Sequence, residues 1–259
     1  MFLAIDTGNT HTTFGVFDKE KLVTTFRLAT NFVCDEKIFK EFLRDTLESL
    51  NFKLRDFKNV GISSVVPRAD KILALVTENI FQCAPLFISP EMDLGFSLLV
   101  DNPSEVGADR ICNVAAGFKK YGGPLVIIDF GTATTYDVVS KDGNFIGGVI
   151  APGVKTSAQA LFDLAAKLPE VELNFPGKVI GTNTIHNMQS GIMNAALDSM
   201  EGMIKRISDE IGIQPKVIAT GGFSKTIFPH TKIINALEFD LVLEGIKILF
   251  EKSLIRTGK

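Results

Sequence analysis

The chain has 259 residues, 46% of them hydrophobic, and a formal net charge of −3 at pH 7. This length allows one large domain or two of ordinary size, and the absence of a dense basic run disfavours binding to nucleic acid or to a membrane surface. No apolar run approaches the ~20 residues that a membrane-spanning helix needs, and we expect no signal peptide, because the first apolar run follows Met1 directly. The cysteines, Cys34, Cys83 and Cys112, are scattered and form no C-x-x-C pair, which predicts a reducing, cytoplasmic location and neither a disulfide framework nor a zinc site.

Two stretches of similar pattern lie about half a chain apart. Residues 2–10 and residues 125–135 each begin with a short apolar run that ends in an aspartate, Asp6 or Asp129, and each continues into a turn of glycine and threonine. A short apolar run bounded by turn residues predicts a buried strand. Either stretch alone could be an ordinary strand that ends at a turn, but two copies indicate a duplicated unit.

The turns after these two strands predict a site for phosphate and a cation. Gly8 and Gly131 allow close approach of the backbone, and the neighbouring threonines supply hydroxyls beside main-chain N–H groups. Such turns can hold phosphate oxygens, and an aspartate at a strand end can hold a cation or its water shell. We therefore expect two related domains, residues 1–120 and 121–259, that face each other across a cleft with one aspartate on each side.

The first half of the chain predicts three strands followed by alternating helices and strands. The expected strands cover residues 2–6, 12–17, 22–28, 60–66 and 85–88, and the expected helices run from Asp35 to Leu50 and from Ala69 to Ile80. Apolar residues recur at helical spacing in the first of these helices, with charged residues between them. The order βββαβα is typical of a ribonuclease-H-like unit.

The second half repeats the opening of this order. The expected strands cover residues 125–129, 136–140, 144–150 and 217–222, and the expected helices run from Gly153 to Leu168, from Asn183 or Thr184 through Ile207, and from Leu237 to Phe250. Asn183 or Thr184 can cap the long middle helix, because both side chains accept hydrogen bonds from main-chain N–H groups.

A third stretch of interest joins the two halves. Gly107 and Ala108 open a helix whose first turn holds Asp109 and Arg110. An acidic residue there can simply interact with the helix dipole, which is worth ~0.3–1 kcal/mol. The same dipole disfavours a cation in the first turn, so Arg110 favours a partner or an anionic ligand nearby. His11, in the first turn of the chain, can equally contact a phosphate or fill space.

The motifs together resemble those of the type III pantothenate kinases, a family of the actin/hexokinase/Hsp70-like ATPase superfamily. The resemblance rests on Asp6-Thr-Gly-Asn-Thr10, Glu105-Val-Gly-Ala-Asp-Arg110, Asp129-Phe-Gly-Thr-Ala-Thr-Thr135, Gly147-Gly-Val-Ile-Ala-Pro-Gly153 and Thr220-Gly-Gly222. These motifs stand in the order and spacing of the family, from the first residues to near the C-terminus. The resemblance implies an α/β fold of duplicated ribonuclease-H-like domains, the actin-like ATPase fold, with an ATP cleft between the domains.

The resemblance also implies an activity. Members of the family transfer phosphate from ATP to pantothenate and form 4'-phosphopantothenate, the first step of coenzyme A biosynthesis. The implied cofactors are ATP with Mg²⁺ and a monovalent cation, K⁺ or NH₄⁺, and the implied assembly is a cytoplasmic homodimer.

The same resemblance implies roles for individual residues. Asp109 would be the general base, and Asp129 would help to bind the monovalent cation. The first phosphate loop would bind ATP, with Asp6 near the divalent metal, and the second loop, which follows Asp129, would add one contact. The residues that would bind ATP are Asp6, Thr7, Gly8, Asn9, Thr10, His11, Thr12, Thr13 and Thr132. Substrate would be bound by Val100, Gly107, Ala108, Asp109, Arg110 and Thr184, the last either in its own subunit or across a dimer interface. Thr220-Gly-Gly222 resembles the adenosine-side motif.

One position departs from the family pattern, and two other functions stay open. Many members have a tyrosine at the position of Val100, and a valine can pack against an apolar part of pantothenate but offers no hydroxyl. A non-catalytic regulator on the same fold is one alternative, although the chain keeps Asp6, Asp109, Arg110 and Asp129. A kinase of a sugar or another small polyol is the other, although the chain has no cysteine-rich zinc motif and no large insertion.

Overall fold

The computed structural model describes residues 1–257, and the chain divides into two compact units. One unit consists of residues 1–119 together with residues 240–257, and the other consists of residues 120–239. Within the described residues, no helix combines the length and the apolar character needed to cross a membrane.

The first unit contains a five-stranded mixed sheet with helices packed against it. Its strands are β1 (Phe2–Thr7), β2 (His11–Asp18), β3 (Lys21–Ala29), β4 (Asn59–Ser64) and β5 (Leu86–Phe87), and its helices are α1 (Thr30–Val33), α2 (Glu36–Ser49), α3 (Pro67–Phe81) and α4 (Ala108–Tyr121). Short 3₁₀ turns cover Leu54–Asp56 and Pro103–Glu105. The strand order is β3-β2-β1-β4-β5, with β1, β2 and β3 antiparallel and β4 and β5 parallel to β1.

Helix α2 shows how local sequence produces these elements. The Asp35 side chain accepts a hydrogen bond from the Ile38 N–H at 3.0 Å and so caps the helix. Phe39, Leu43 and Leu47 recur every fourth residue, lie on one face and are fully buried in the core beside the sheet. The capping residue and the buried apolar face therefore both favour a helix over the same residues.

The second unit repeats the sheet of the first. Its strands are β6 (Leu125–Phe130), β7 (Ala133–Val139), β8 (Phe145–Pro152), β9 (Lys216–Thr220) and β10 (Ala236–Leu237), and its helices are α5 (Val154–Leu164), α6 (Thr184–Ile211) and α7 (Ser224–Ile227), with a 3₁₀ turn at Phe228–His230. The strand order is β10-β9-β6-β7-β8, so β6, β7, β8, β9 and β10 correspond to β1, β2, β3, β4 and β5. The shared order confirms the predicted duplication and the α/β class.

The two units differ from the expected division into residues 1–120 and 121–259, because the last helix, α8 (Leu241–Thr257), belongs to the first unit. It packs against β1 and β4 of the first unit, where the ring of Phe250 lies 4.9 Å from the ring of Phe2. The helix begins four residues after the expected start near Leu237, because Leu237 pairs with Ala219 as part of β10. Residues 258–259 of the expected second domain lie outside the described residues.

Two further contacts hold α8 in the first unit. The Lys247 ammonium is buried and lies 2.9 Å from the Glu20 carboxylate, and it also bonds Glu251 on its own helix. Gly245 lies against α4, where a Cβ atom would sit 2.1 Å from the carbonyl oxygen of Cys112. Only glycine permits this close approach of the two helices.

Candidate active site

The first loop of the chain connects β1 and β2. Asp6 and Thr7 pair with Thr13 and Thr12, and residues 8–10 make the turn between them. The Gly8 N–H donates to the His11 carbonyl at 3.1 Å, which closes the turn. Asn9, Thr10 and His11 are exposed, while Thr7 and Thr12 are fully buried. The loop therefore presents three successive residues to solvent on a base of buried threonines.

Asp6 has a neighbour that sequence analysis did not find. Ser63 of β4 pairs with Asp6 in the parallel register of β1 and β4, and its side chain is fully buried. Its Oγ donates to Asp6 Oδ1 at 3.1 Å. The available signal was Ser63-Ser64 at the end of a predicted strand, because the carboxyl ends of parallel strands meet at one edge of a sheet.

Asp109 lies in the first turn of α4. Its side chain is half-buried, and its Oδ1 accepts a hydrogen bond from the Arg110 N–H at 2.8 Å. Burial raises the pKa of Asp109, against the opposing effects of that hydrogen bond and of the Arg110 charge. The carboxylate is therefore more basic than that of an ordinary aspartate.

Cys112 lies on α4, the helix that has Asp109 in its first turn. The thiol is fully buried one turn after Asp109. Burial raises the pKa of the Cys112 thiol well above its usual value, and the negative charges of Asp6 and Asp109 raise it further. Ser63 donates to Asp6, and a Cβ atom on Gly107 would lie 3.5 Å from Val65, so Asp6 and the start of α4 both adjoin the end of β4.

The start of α4 leaves little space around Asp109. A Cβ atom on Gly107 would lie 2.5 Å from Asp109 Oδ1 and 3.5 Å from Val65, so a larger residue would displace the carboxylate. Ala108 is buried and Arg110 is half-buried. Val100 is half-buried in the irregular segment before this helix.

In the second unit, Asp129 lies at the end of β6 and is half-buried. A Cβ atom on Gly131 would lie 3.4 Å from Asp129 Oδ1, and one on Gly221 would lie only 2.4 Å from it. Gly221 also has a φ of +83°, which favours glycine. Two glycine backbones therefore frame the carboxylate, and the second of them tolerates no side chain.

The second loop, residues 131–132, connects β6 and β7 and is held through the main chain of Thr132. Its carbonyl accepts hydrogen bonds from the Gly153 N–H at 3.1 Å and from the Thr156 hydroxyl at 2.6 Å. Thr132 itself is exposed. These hydrogen bonds fix the backbone of the loop at Thr132, while the Thr132 side chain stays accessible to solvent.

Thr184 is the first residue of α6 and is exposed. Asn183 caps this helix by accepting a hydrogen bond from the His186 N–H at 2.9 Å. Thr184 lines a cavity of about 690 Å³ within the second unit, whose walls include Phe130, Tyr136 and Ile192. The predicted contact residue therefore lies at a mainly apolar cavity.

The part of the chain that the structure describes has no metal site built from protein side chains alone. Across residues 1–257, no three or more side chains of His, Cys, Asp or Glu are grouped so that they could hold a metal ion. Asp6 and Asp129 each supply a carboxylate at a strand end. Mg²⁺ in phosphate-transferring enzymes is commonly held by one or two carboxylates together with substrate phosphates and water.

Comparison with known proteins gives a family for the chain. A family model described as type III pantothenate kinase matches residues 2–206. A type III pantothenate kinase of Koribacter versatilis (strain Ellin345) is 41% identical, and the match covers 100% of this chain and 98% of that protein. The match covers all the motifs that resemble the family at the sequence level.

Solved structures of lower identity show the fold. A structure from Campylobacter jejuni, described as a conserved Baf family transcriptional activator, has a TM-score of 0.62 at 18% identity, and covers 97% of this chain and 98% of its own. An activator of 2-hydroxyisocaproyl-CoA dehydratase from Clostridium difficile, with bound ADPNP, has a TM-score of 0.56 at 13% identity, and covers 100% of this chain and 97% of its own. Together with the two sheets of shared order, these likenesses confirm the predicted actin-like ATPase fold.

Proposed function

Because the chain belongs to the type III pantothenate kinase family, we propose that Asp109 is its general base and that the loop after β1 holds the phosphates of ATP. The protein is a kinase that transfers phosphate from ATP to an alcohol group of pantothenate, in coenzyme A biosynthesis. The family match supplies the reaction, and the proposal concerns which residues carry it out.

The observation that carries the proposal is the placement of Asp6 and Asp109 at one end of β4, where Ser63 donates to Asp6 at 3.1 Å and a Cβ atom on Gly107, beside Asp109, would lie 3.5 Å from Val65. In agreement with this placement, the pKa of the buried Cys112 thiol is raised by burial and, further, by the charges of Asp6 and Asp109. A group that binds the metal of ATP and a group that accepts the proton of the substrate must lie close to each other, because phosphoryl transfer depends mainly on positioning. Both carboxylates lie in the first unit, on residues that adjoin the same end of β4.

Asp109 would act on the primary hydroxyl of pantothenate. As the hydroxyl oxygen bonds to the γ-phosphorus, its proton passes to the Asp109 carboxylate, the bond from the β,γ-bridging oxygen to that phosphorus breaks, and ADP leaves. Burial raises the pKa of Asp109, and this makes the ionised side chain a better proton acceptor than an exposed aspartate. Gly107 and Ala108 would line the substrate site, and Arg110 would contact the substrate.

ATP would be held mainly by the first loop. The proposed contacts are Asp6, Thr7, Gly8, Asn9, Thr10, His11, Thr12 and Thr13, with a further contact from Thr132. Asp6 would bind Mg²⁺, which neutralises phosphate charge when bound, and Ser63 fits this role because its hydrogen bond orients one carboxylate oxygen. The exposed turn after a buried strand suits phosphate oxygens.

Asp129 would bind the monovalent cation, K⁺ or NH₄⁺. Its half-buried carboxylate oxygen lies beside the backbones of Gly131 and Gly221, and hard cations prefer oxygen ligands of this kind. Thr184 would contact the substrate at the start of α6, and Val100 would contribute an apolar contact. The expected homodimer, the cytoplasmic location and the absence of nucleic-acid binding stay predictions from the resemblance and the composition.

The two alternative functions have less support. The Campylobacter jejuni structure described as an activator shares 18% identity with this chain and therefore supports the fold alone. A kinase of a sugar or another polyol would share the loops and the base but would accept a different alcohol. The 41% identity to a type III pantothenate kinase favours pantothenate.

A panel of acceptors tests the proposal. We expect ATP consumption that depends on pantothenate and on K⁺ or NH₄⁺, with Na⁺ at equal ionic strength as the control, and no comparable turnover with sugars or polyols. Asp129→Asn should remove most of the response to K⁺ while the protein stays folded. Equal rates in Na⁺ and K⁺ would contradict the cation site, and preference for another acceptor would contradict the substrate.

A further inference from the structure

We propose that Thr30 is a positioning residue that holds the first phosphate loop in the shape that binds ATP. Thr30 is the first residue of α1 and is fully buried. It follows β3 directly, where Ala29 pairs with His11 at the start of β2. The sheet therefore delivers Thr30 to the base of the loop formed by residues 8–10.

Thr30 forms hydrogen bonds with two residues of the loop and with one residue of β2. Its hydroxyl donates to the Gly8 carbonyl at 2.7 Å, and its main-chain N–H donates to the Thr10 carbonyl at 3.0 Å. Its Oγ1 also lies 3.1 Å from Oγ1 of Thr12. One residue thus reaches the beginning of the loop, its end and the first buried position of β2.

The direction of these hydrogen bonds follows from proton counting. A hydroxyl has one proton, and Thr30 uses its proton on the Gly8 carbonyl. The Thr12 hydroxyl must then be the donor to Thr30, which gives a chain from Thr12 through Thr30 to Gly8. Successive hydrogen bonds in a buried chain polarise and strengthen one another.

The loop depends on this support because its own side chains face solvent. Asn9, Thr10 and His11 are exposed, so buried packing does not hold them. A phosphate-binding turn works by aiming main-chain N–H groups at positions set before the ligand arrives. A bond to each end of the turn, made from one buried residue, is the arrangement that fixes such a shape.

The test compares two buried threonines. Thr30→Val keeps the shape of the side chain and removes the hydroxyl, so the inference, which rests on the proposed role of the loop, predicts a KM for ATP raised roughly five- to tenfold, the range that corresponds to one lost hydrogen bond. The KM for pantothenate at saturating ATP should change little. Direct titration of the full-length protein with ATP and Mg²⁺ should show the same weakening.

Thr77→Val is the matched control. Thr77 is also fully buried and also donates its hydroxyl to a main-chain carbonyl, that of Leu73 at 2.6 Å, but it lies within α3. Thr77→Val should leave the KM for ATP unchanged. Thr30→Ser keeps the hydroxyl and should recover most of the ATP affinity, and Thr30→Ala, which also removes the hydroxyl, replaces Thr30→Val if that variant does not fold.

Asp6→Asn separates failure of this inference from failure of the proposed loop. If Asp6→Asn weakens binding of ATP with Mg²⁺ but Thr30→Val matches Thr77→Val, then Thr30 has only a structural role and the inference is overturned. If Asp6→Asn binds ATP with Mg²⁺ as the wild type does, the proposed role of Asp6 is itself wrong. A Thr30→Ser variant that binds ATP as poorly as Thr30→Val would also overturn the inference.

Discussion

Replacement of Asp109 by asparagine gives two measurements that move in opposite directions. The amide oxygen of asparagine can still accept the 2.8 Å hydrogen bond from the Arg110 N–H, so the geometry at the start of α4 should persist. The variant loses only the ability to accept a proton. Turnover should therefore fall by the contribution of a general base, about 10²–10⁴-fold, which is about 3–5 kcal/mol of activation free energy.

Stability should rise in the same variant at neutral pH. Burial raises the pKa of Asp109, so the folded protein binds that proton more tightly than the unfolded chain does. The stabilisation from this carboxyl is complete below the unfolded-state pKa and is lost as pH rises through the raised folded-state pKa. At a pH above the raised pKa, the ionised, half-buried carboxylate disfavours folding, and a neutral asparagine does not.

The assay combines steady-state kinetics with thermal unfolding at several pH values. Asp109→Asn should melt at a higher temperature than the wild type at neutral pH, and the difference should shrink as pH falls into the acid range. Asp101→Asn, which replaces an exposed carboxylate in the preceding segment, is the control and should change neither quantity. A turnover number close to that of the wild type would refute the assignment of the base, and a lower melting temperature at neutral pH would refute the electrostatic reasoning.

Two further predictions concern the residues beside the two strand-end aspartates. Ser63→Ala removes the 3.1 Å hydrogen bond to Asp6 and should raise the Mg²⁺ concentration needed for half-maximal activity. Ser64→Ala is the control and should not raise it, because the Ser64 hydroxyl donates to another aspartate, Asp70, at 2.6 Å. Equal Mg²⁺ titrations for the two variants would contradict the role of Ser63. Gly221→Ala places a Cβ atom 2.4 Å from Asp129 Oδ1 at a φ of +83° and should lower the free energy of unfolding by about 1–3 kcal/mol. That variant should also respond less to K⁺, and a wild-type unfolding curve in denaturant would show that the frame around Asp129 is not rigid.

The elements that sequence analysis predicted well are those whose signals are local. The cap residue Asp35 and the apolar residues of α2 stand next to one another in the chain, so their helix could be recognised without a partner. The duplicated strands could be recognised because Asp6 and Asp129 stand in two copies of one pattern. Both signals survive folding because backbone geometry and side-chain periodicity act over a few residues.

The placement of the last helix shows where such reasoning ends. The apolar residues of α8 predict a helix, but nothing in their spacing tells which sheet they cover. The close approach of Gly245 to Cys112 and the bond from Lys247 to Glu20 place α8 in the first unit. These pairs are far apart in sequence, and their contact depends on the path of the whole chain.

By itself, the sequence determined the repeated strand-and-turn pattern, the periodic apolar face of α2 and the motifs that belong to the type III pantothenate kinase family. Only the tertiary structure decided that Ser63 faces Asp6, that the start of α4 lies beside Val65, and that Thr30 supports the first loop. The physical reason is the range of the interactions. Local propensity forms a strand or a turn, whereas a hydrogen bond between two strands requires the register of a completed sheet.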